Sequence, residues 1–241
     1  MTDAPLFAPA GRESAEAAAA NREAPAWPRA TERLRDDPAF GPLVAKVGPV
    51  RLRRKRGGPF SSLAATIIYQ QLAGTAAGTI HRRFVEALEG EVTPERVLAA
   101  PEELLRGAGL SSNKVAAIRD LAAKAGVGDL PLERLKGLPD AEVVSRLTRV
   151  RGIGPWTAQM FLLFDLRRPD VWPTGDLGVR NGLGRVLGLD APPSPAETRW
   201  IGVGYRPWRS AVAWYCWRAV EVLTPDEAGS GGAPPVSEAN S

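Results

Sequence analysis

Residues 150–156 read Val-Arg-Gly-Ile-Gly-Pro-Trp and stand between two apolar runs of helical period. The two glycines accept positive φ and put no side chains in the way, and Pro155 presets φ for the first turn of a new helix. The spacing therefore predicts helix, tight hairpin, helix. The backbone N–H groups of Gly152, Gly154 and the turn after them would point outward from a helix N-terminus, where the macrodipole favours an anion. A DNA phosphate fits that description; the same residues would equally make an ordinary turn between two helices with no ligand at all. Farther along, Thr174-Gly175-Asp176-Leu177-Gly178 sets one carboxylate among small residues, just ahead of the run LGVRNGLGRV. An aspartate there can cap that helix. Trp156, Trp214 and Trp217 lie in helical runs, where tryptophan is ordinarily core.

The elements that must position these residues read as helices almost throughout. In PFSSLAATIIYQQLAG, Leu63, Ile67 and Ile68 share a broad face and Gly74 is the expected stop. Thr93-Pro94-Glu95 predicts a cap followed by proline in the first turn, and Ser111 or Ser112 another cap before NKVAAIRDLAAKAG. Asp140 is expected to cap AEVVSRLTRV, and Ser194 with Glu197 to form a capping box. Pro207 is expected to open a last helix, PWRSAVAWYCWRAVEVL. Alternating strand patterns are limited to short candidates such as VGPVRLRR, so the fold class predicted is all-α.

Charge is unevenly spread. The formal net of +4 averages acidic ends with a basic middle: residues 41–223 hold 26 Lys/Arg against 17 Asp/Glu, a net of +9. A polyanion is the natural partner of that section. RLRRKR at 51–56 could follow a phosphate backbone or be a solvated loop. Cys216 is the only cysteine, so the chain cannot build an internal disulfide, a thiolate zinc site or a Cys-ligated iron–sulfur cluster. With no bilayer-length apolar run and no basic-then-apolar leader, the expected compartment is the cytoplasm, nucleoid-associated in a bacterium. His81, the only histidine, reads as solvated or phosphate-facing.

Four blocks in order, DPAFGPLVAKVGPVRLR, IIYQQLAGTAAGTIHRRF, GLSSNKVAAIRDLA and GYRPWRSAVAWYCW, together with VRGIGPWTA and the WPTGDLG loop, resemble the helix–hairpin–helix DNA glycosylases, and within them the alkylated-base (3-methyladenine type II) branch. The likeness runs from about Asp37 to Leu223. It implies a two-lobed all-α fold with the active-site cleft between the lobes, and Asp176 as the catalytic carboxylate. Trp156 and Trp217 match the aromatic walls of the flipped-base pocket, where indole faces would stack on a cationic alkylated base. Met160 stands where some members have tyrosine; Tyr69 and Trp214 are further pocket candidates. The hairpin, Gly152, Ile153, Gly154 and Thr157, would hold DNA, and Gln70, Gln71 and Leu72 would supply the wedge that fills the vacated stack, with Gln71 the choice. Members that also cut the backbone carry a lysine two residues after the last hairpin glycine; Trp156 is there, which implies base release without lyase chemistry.

The resemblance further implies a monovalent cation, Na+ or K+, on the backbone carbonyls of Thr148, Val150 and Ile153, and no organic cofactor. The expected organisation is a disordered extension over 1–36, a glycosylase domain over 37–223 and a disordered tail over 224–241. The expected function is hydrolytic excision of alkylated purines of the 3-methyladenine and 7-methylguanine class from double-stranded DNA, by a monomer with no membrane association. The alternatives are a glycosylase for a deaminated or oxidised purine, and a helix–hairpin–helix DNA-binding module without catalysis.

Overall fold

The computed structural model describes residues 27–52, 57–72 and 74–223. Among them the regular structure is helical and no strand occurs. In chain order the helices are α1 (Trp27–Arg35), α2 (Gly41–Val47), α3 (Pro59–Tyr69), α4 (Gly74–Ala87), α5 (Pro94–Ala99), α6 (Glu102–Gly107), α7 (Ser112–Gly126), α8 (Asp140–Leu147), α9 (Pro155–Phe164), α10 (Leu177–Leu187), α11 (Pro195–Ile201) and α12 (Arg209–Val222). Short 3-10 turns cover Leu132–Gly137 and Gly202–Tyr205. None of the described helices is long and apolar enough to cross a membrane.

The chain folds as two compact units. One takes a continuous stretch, within 53–167, and the other joins residues up to Leu52 with residues from Arg168 onward. In the continuous unit α3 is the buried centre: Phe60, Leu63, Ala64, Ile67 and Ile68 are all buried, and α4, α7 and α9 pack around it. α7 brings Val115, Ile118, Leu121 and Ala122 to the same core. Side-chain caps fix the helix starts as expected from the sequence. The Thr93 hydroxyl accepts from Arg96 N–H at 3.3 Å and the Ser111 hydroxyl from Lys114 N–H at 3.4 Å.

The discontinuous unit is centred on α10 against α12, with α1 and α2 on α12 as well. Their approach is set by Gly182: a Cβ there would lie 1.9 Å from the carbonyl oxygen of Cys216. Arg185, one turn later, donates to the carbonyls of Val220 at 3.0 Å and Leu223 at 2.7 Å, closing the C-terminal end of α12. Tyr215 ties α12 to the front of the chain through its hydroxyl, which donates to Gly48 O at 2.9 Å. The capping box of α11 is present, with Ser194 N–H donating to Glu197 at 2.7 Å and Glu197 N–H to Ser194 at 3.2 Å.

Four boundaries differ from the sequence expectation. Folded structure does not start at residue 37: Trp27, Ala30 and Leu34 form a narrow apolar stripe on α1, and all three are buried. Residues 1–26 and 224–241 lie outside the described residues, as do 53–56 of the basic run. α3 ends at Tyr69 rather than running to Gly74, because the backbone leaves the helix at Gln70, with ψ 130°, and Gln71 follows in the left-handed region at φ 57°. Asp140 is the first residue of α8, with Pro139 in the cap position. The last helix begins at Arg209, two residues after Pro207.

Gly182→Ala should destabilise the protein by about 3 kcal/mol or more, since the new methyl meets backbone that cannot yield as a side chain would. Chemical denaturation of the variant against the parent measures it.

Candidate active site and nucleic-acid interface

The carboxylate singled out in the sequence is built into a helix start. Asp176 is the N-cap of α10, and its Oδ1 accepts from Val179 N–H at 2.8 Å. The same oxygen accepts from the indole N–H of Trp217 at 3.0 Å. The capping role and the predicted functional role thus fall on one residue, which is half-buried rather than sealed in the core. Gly178 makes the arrangement possible: a Cβ at that position would lie 2.8 Å from the Trp217 ring and 3.1 Å from Asp176 Oδ1. Below the pair, Cys216 is fully buried, and its thiol is pushed far up by burial and by the neighbouring Asp176 charge.

The loop that delivers Asp176 is pinned at several points to the start of α12 and to α11. Arg209 forms a two-pronged ion pair with Asp170, at 2.6 and 2.8 Å, and also donates to its carbonyl. Buried Ser210 makes three bonds to the loop: its hydroxyl donates to Arg168 O at 2.6 Å and accepts from Val171 N–H at 2.9 Å, while its own N–H donates to Pro169 O at 3.0 Å. Trp172 is buried, donating to Thr198 O at 2.8 Å and lying so close to Gly202 that a Cβ there would be 2.2 Å from its ring nitrogen. Trp172 and Gly178 fall in the WPTGDLG stretch, and Arg209 and Ser210 in GYRPWRSAVAWYCW, that carry the resemblance, but the sequence alone assigned none of them this anchoring role.

The other unit carries the hairpin. Val150 and Ile153 are buried beneath it, Ile153 N–H donates to Val150 O at 3.1 Å, and Gly152 sits at φ 76°. Gly154 is the extended N-cap of α9 and Pro155 opens the helix, as the sequence predicts. A Cβ on Gly152 would lie 3.0 Å from that of Ala117, so the turn packs directly on α7. Asp120 completes the seat by accepting from Arg151 N–H at 2.7 Å. Burial alone would raise its carboxyl, yet the bonds from Lys124 and Arg151 outweigh this and hold it below the usual range.

The remaining expected site residues separate into exposed and engaged groups. Trp156 is 42 % exposed at the start of α9, Tyr69 is 45 % exposed with its ring 6.1 Å from that of His81, and Leu72 is 38 % exposed. Gln71 is exposed too, in a left-handed conformation that costs a non-glycine residue about 1 kcal/mol. Met160 is buried one turn after Trp156. Thr157, expected to face DNA, is buried as well, and its hydroxyl accepts from the Gln70 amide at 3.0 Å. Gln70 also donates to Gly152 O at 3.0 Å, so its side chain holds the hairpin instead of projecting from the loop. Trp214 has Arg218 over its ring at 5.7 Å and meets Tyr215 edge-on at 5.0 Å, which engages it within α12.

One unit carries a glycine hairpin seated on α7, and the other carries a carboxylate that caps α10. Residues 64–202 match the family described as HhH-GPD superfamily base excision DNA repair protein. The chain belongs to that superfamily. It is 34 % identical to DNA-3-methyladenine glycosylase 1 of Schizosaccharomyces pombe over 73 % of this chain and 78 % of that protein. Among solved structures it is similar to a Schizosaccharomyces pombe 3-methyladenine DNA glycosylase in complex with abasic DNA, with TM-score 0.73, 32 % identity and coverage of 81 % of this chain and 98 % of that one. It also resembles a DNA-3-methyladenine glycosidase from Bacillus halodurans, with TM-score 0.70, 32 % identity and coverage of 78 % and 86 %.

Gly178→Ala should force Trp217 away from Asp176 and cost about 1–3 kcal/mol. A crystal structure of the variant is expected to show the indole nitrogen beyond hydrogen-bond distance of Oδ1, and a retained bond would refute the assigned role of Gly178.

Proposed function

We propose that the protein is a monofunctional DNA glycosylase that hydrolyses the N-glycosidic bond of alkylated purines, the 3-methyladenine and 7-methylguanine class, in duplex DNA. The observation that carries this reading is the Asp176 carboxylate, oriented on one oxygen by Val179 N–H and the Trp217 indole at the N-terminus of α10. As the base departs, positive character grows on the deoxyribose, and a fixed carboxylate beside C1′ stabilises that state and can orient water. In the overall reaction water oxygen bonds to C1′, the C1′–N bond breaks with its electron pair leaving on the base, and a water proton is released. A purine alkylated at N3 or N7 is already cationic, so it leaves as a neutral base. The resemblance in sequence to proteins named as 3-methyladenine glycosylases supports that substrate class.

Supporting roles follow from chemistry. The exposed Trp156 offers an electron-rich face suited to a cationic ring, and Trp217 combines such a face with its bond to Asp176. With Trp156 two residues after Gly154, no amine stands where a Schiff base would form, which supports hydrolysis without strand cleavage. Gly152 and Gly154 would grip a phosphate through their N–H groups. The carbonyls of Thr148, Val150 and Ile153 follow the C-terminal, electronegative end of α8, a donor set that suits Na+ or K+; the ion would steady the turn against a phosphate. The protein would act as a cytoplasmic monomer and need no organic cofactor.

Asp176→Asn keeps a good helix cap, so the fold and most DNA affinity should survive while excision falls by at least about 100-fold. Release of 3-methyladenine, 7-methylguanine, hypoxanthine and 8-oxoguanine from defined duplexes is the measurement. Preferential release of the last two would assign another damaged base, and binding without release of any would favour a DNA-binding module.

A further inference from the structure

Two surface loops of the continuous unit are held by one helix. Toward the hairpin, α7 presents Asn113, Ala117 and Asp120, spaced along one face. Asn113 accepts from the Arg151 guanidinium at 3.4 Å, Ala117 fills the space beside Gly152, and Asp120 accepts from Arg151 N–H at 2.7 Å. Beside them in the first turn of α7, Lys114 reaches the other loop, its ammonium donating to Ile68 O at 2.6 Å and Gln70 O at 2.9 Å. These carbonyls lie at the C-terminal end of α3, where a cation offsets the negative end of the helix. Gln70 closes the triangle, bonding Gly152 O and Thr157 Oγ1, both at 3.0 Å. What the triangle leaves projecting is Gln71 at φ 57° and the exposed Leu72.

We infer that Lys114 is a positioning residue for base opening, fixing the Gln71–Leu72 loop in register with the hairpin so that a phosphate gripped by one determines the base step entered by the other. The inference rests on the proposed glycosylase reading. It goes beyond a local helix cap because the donor comes from a different helix, so the two Lys114 bonds tie the end of α3 to the helix that seats the hairpin. Desolvation lowers the Lys114 ammonium from its ordinary value, so these bonds are held against a cost of burial, in keeping with a fixed geometry. A misplacement on the order of 1 Å in such a loop costs about 100-fold in rate.

The experiment uses the full-length protein and two substrates, an alkylated purine paired in duplex DNA and the same purine opposite an abasic site, where little opening is required. Lys114→Met keeps the stem and removes the donors; Lys114→Arg keeps charge and donors; Gln70→Leu breaks the bridge to the hairpin. Expected for Lys114→Met and Gln70→Leu is a loss of about 10- to 100-fold in kcat/KM on the paired substrate, with a clearly smaller loss on the unpaired one and partial recovery in Lys114→Arg. Equal losses on both substrates would reduce Lys114 to a stability residue and overturn the inference, as would unchanged rates. A second readout needs no chemistry: the fluorescence rise of 2-aminopurine in an undamaged duplex, alongside anisotropy for binding. The wild type should give the rise and Lys114→Met should bind without it. If the wild type releases no base, the alkylated-base reading fails while the fluorescence still decides the inference; no rise in the wild type, or an undiminished rise in Lys114→Met, overturns it.

Discussion

One hydrogen-bonded oxygen organises the discontinuous unit. Asp176 Oδ1 receives the Val179 N–H and the Trp217 indole N–H, so the helix it starts and the helix it faces both fix its direction. That geometry exists only because Gly178 leaves room for the indole and Gly182, one turn on, lets the backbones of α10 and α12 come into contact. A side chain at either place would separate the helices and the carboxylate would lose one of its donors. Close packing and the orientation of this carboxylate are therefore the same structural fact.

The approach to Asp176 is held with equal care. Arg209 and Ser210, successive residues at the start of α12, together pin Arg168, Pro169, Asp170 and Val171. Since α12 also carries Trp217, the loop and the indole share one rigid carrier. In the continuous unit α7 has the corresponding duty toward the hairpin, with Ala117 and Asp120 as its seat. Each unit thus relies on a long, well-packed helix to steady an irregular segment, an economical way to keep exposed backbone in one conformation.

Local chemistry was legible in the sequence and distant pairing was not. The hairpin, the Thr93 and Ser111 caps and the Ser194–Glu197 box depend on neighbours a few residues apart, and each formed where residue type and spacing place it. α1 left little sequence signal because its buried face, Trp27, Ala30, Thr31 and Leu34, holds only three apolar side chains in an otherwise largely charged run. Gln70 was expected at the DNA surface, yet its partners are Gly152 and Thr157; Lys114 carried no sequence signal for its bonds to Ile68 and Gln70. Asp176 was found through a resemblance in its surrounding loop, while the indole bond that orients it joins residues far apart in the chain.

The order of the units along the chain has a consequence for synthesis. The stretch within 53–167 is uninterrupted, so it can collapse while later residues are still being added at the ribosome, whereas the unit bearing Asp176 must wait for α12. Until then α1 and α2 emerge with buried-type faces such as Trp27, Leu34 and Leu43 and no α12 to cover them. A nascent chain cut short before residue 209 would lack Arg209, Ser210 and Trp217 together, so a truncated product could carry a complete hairpin while Asp176 lacked the partners that orient it.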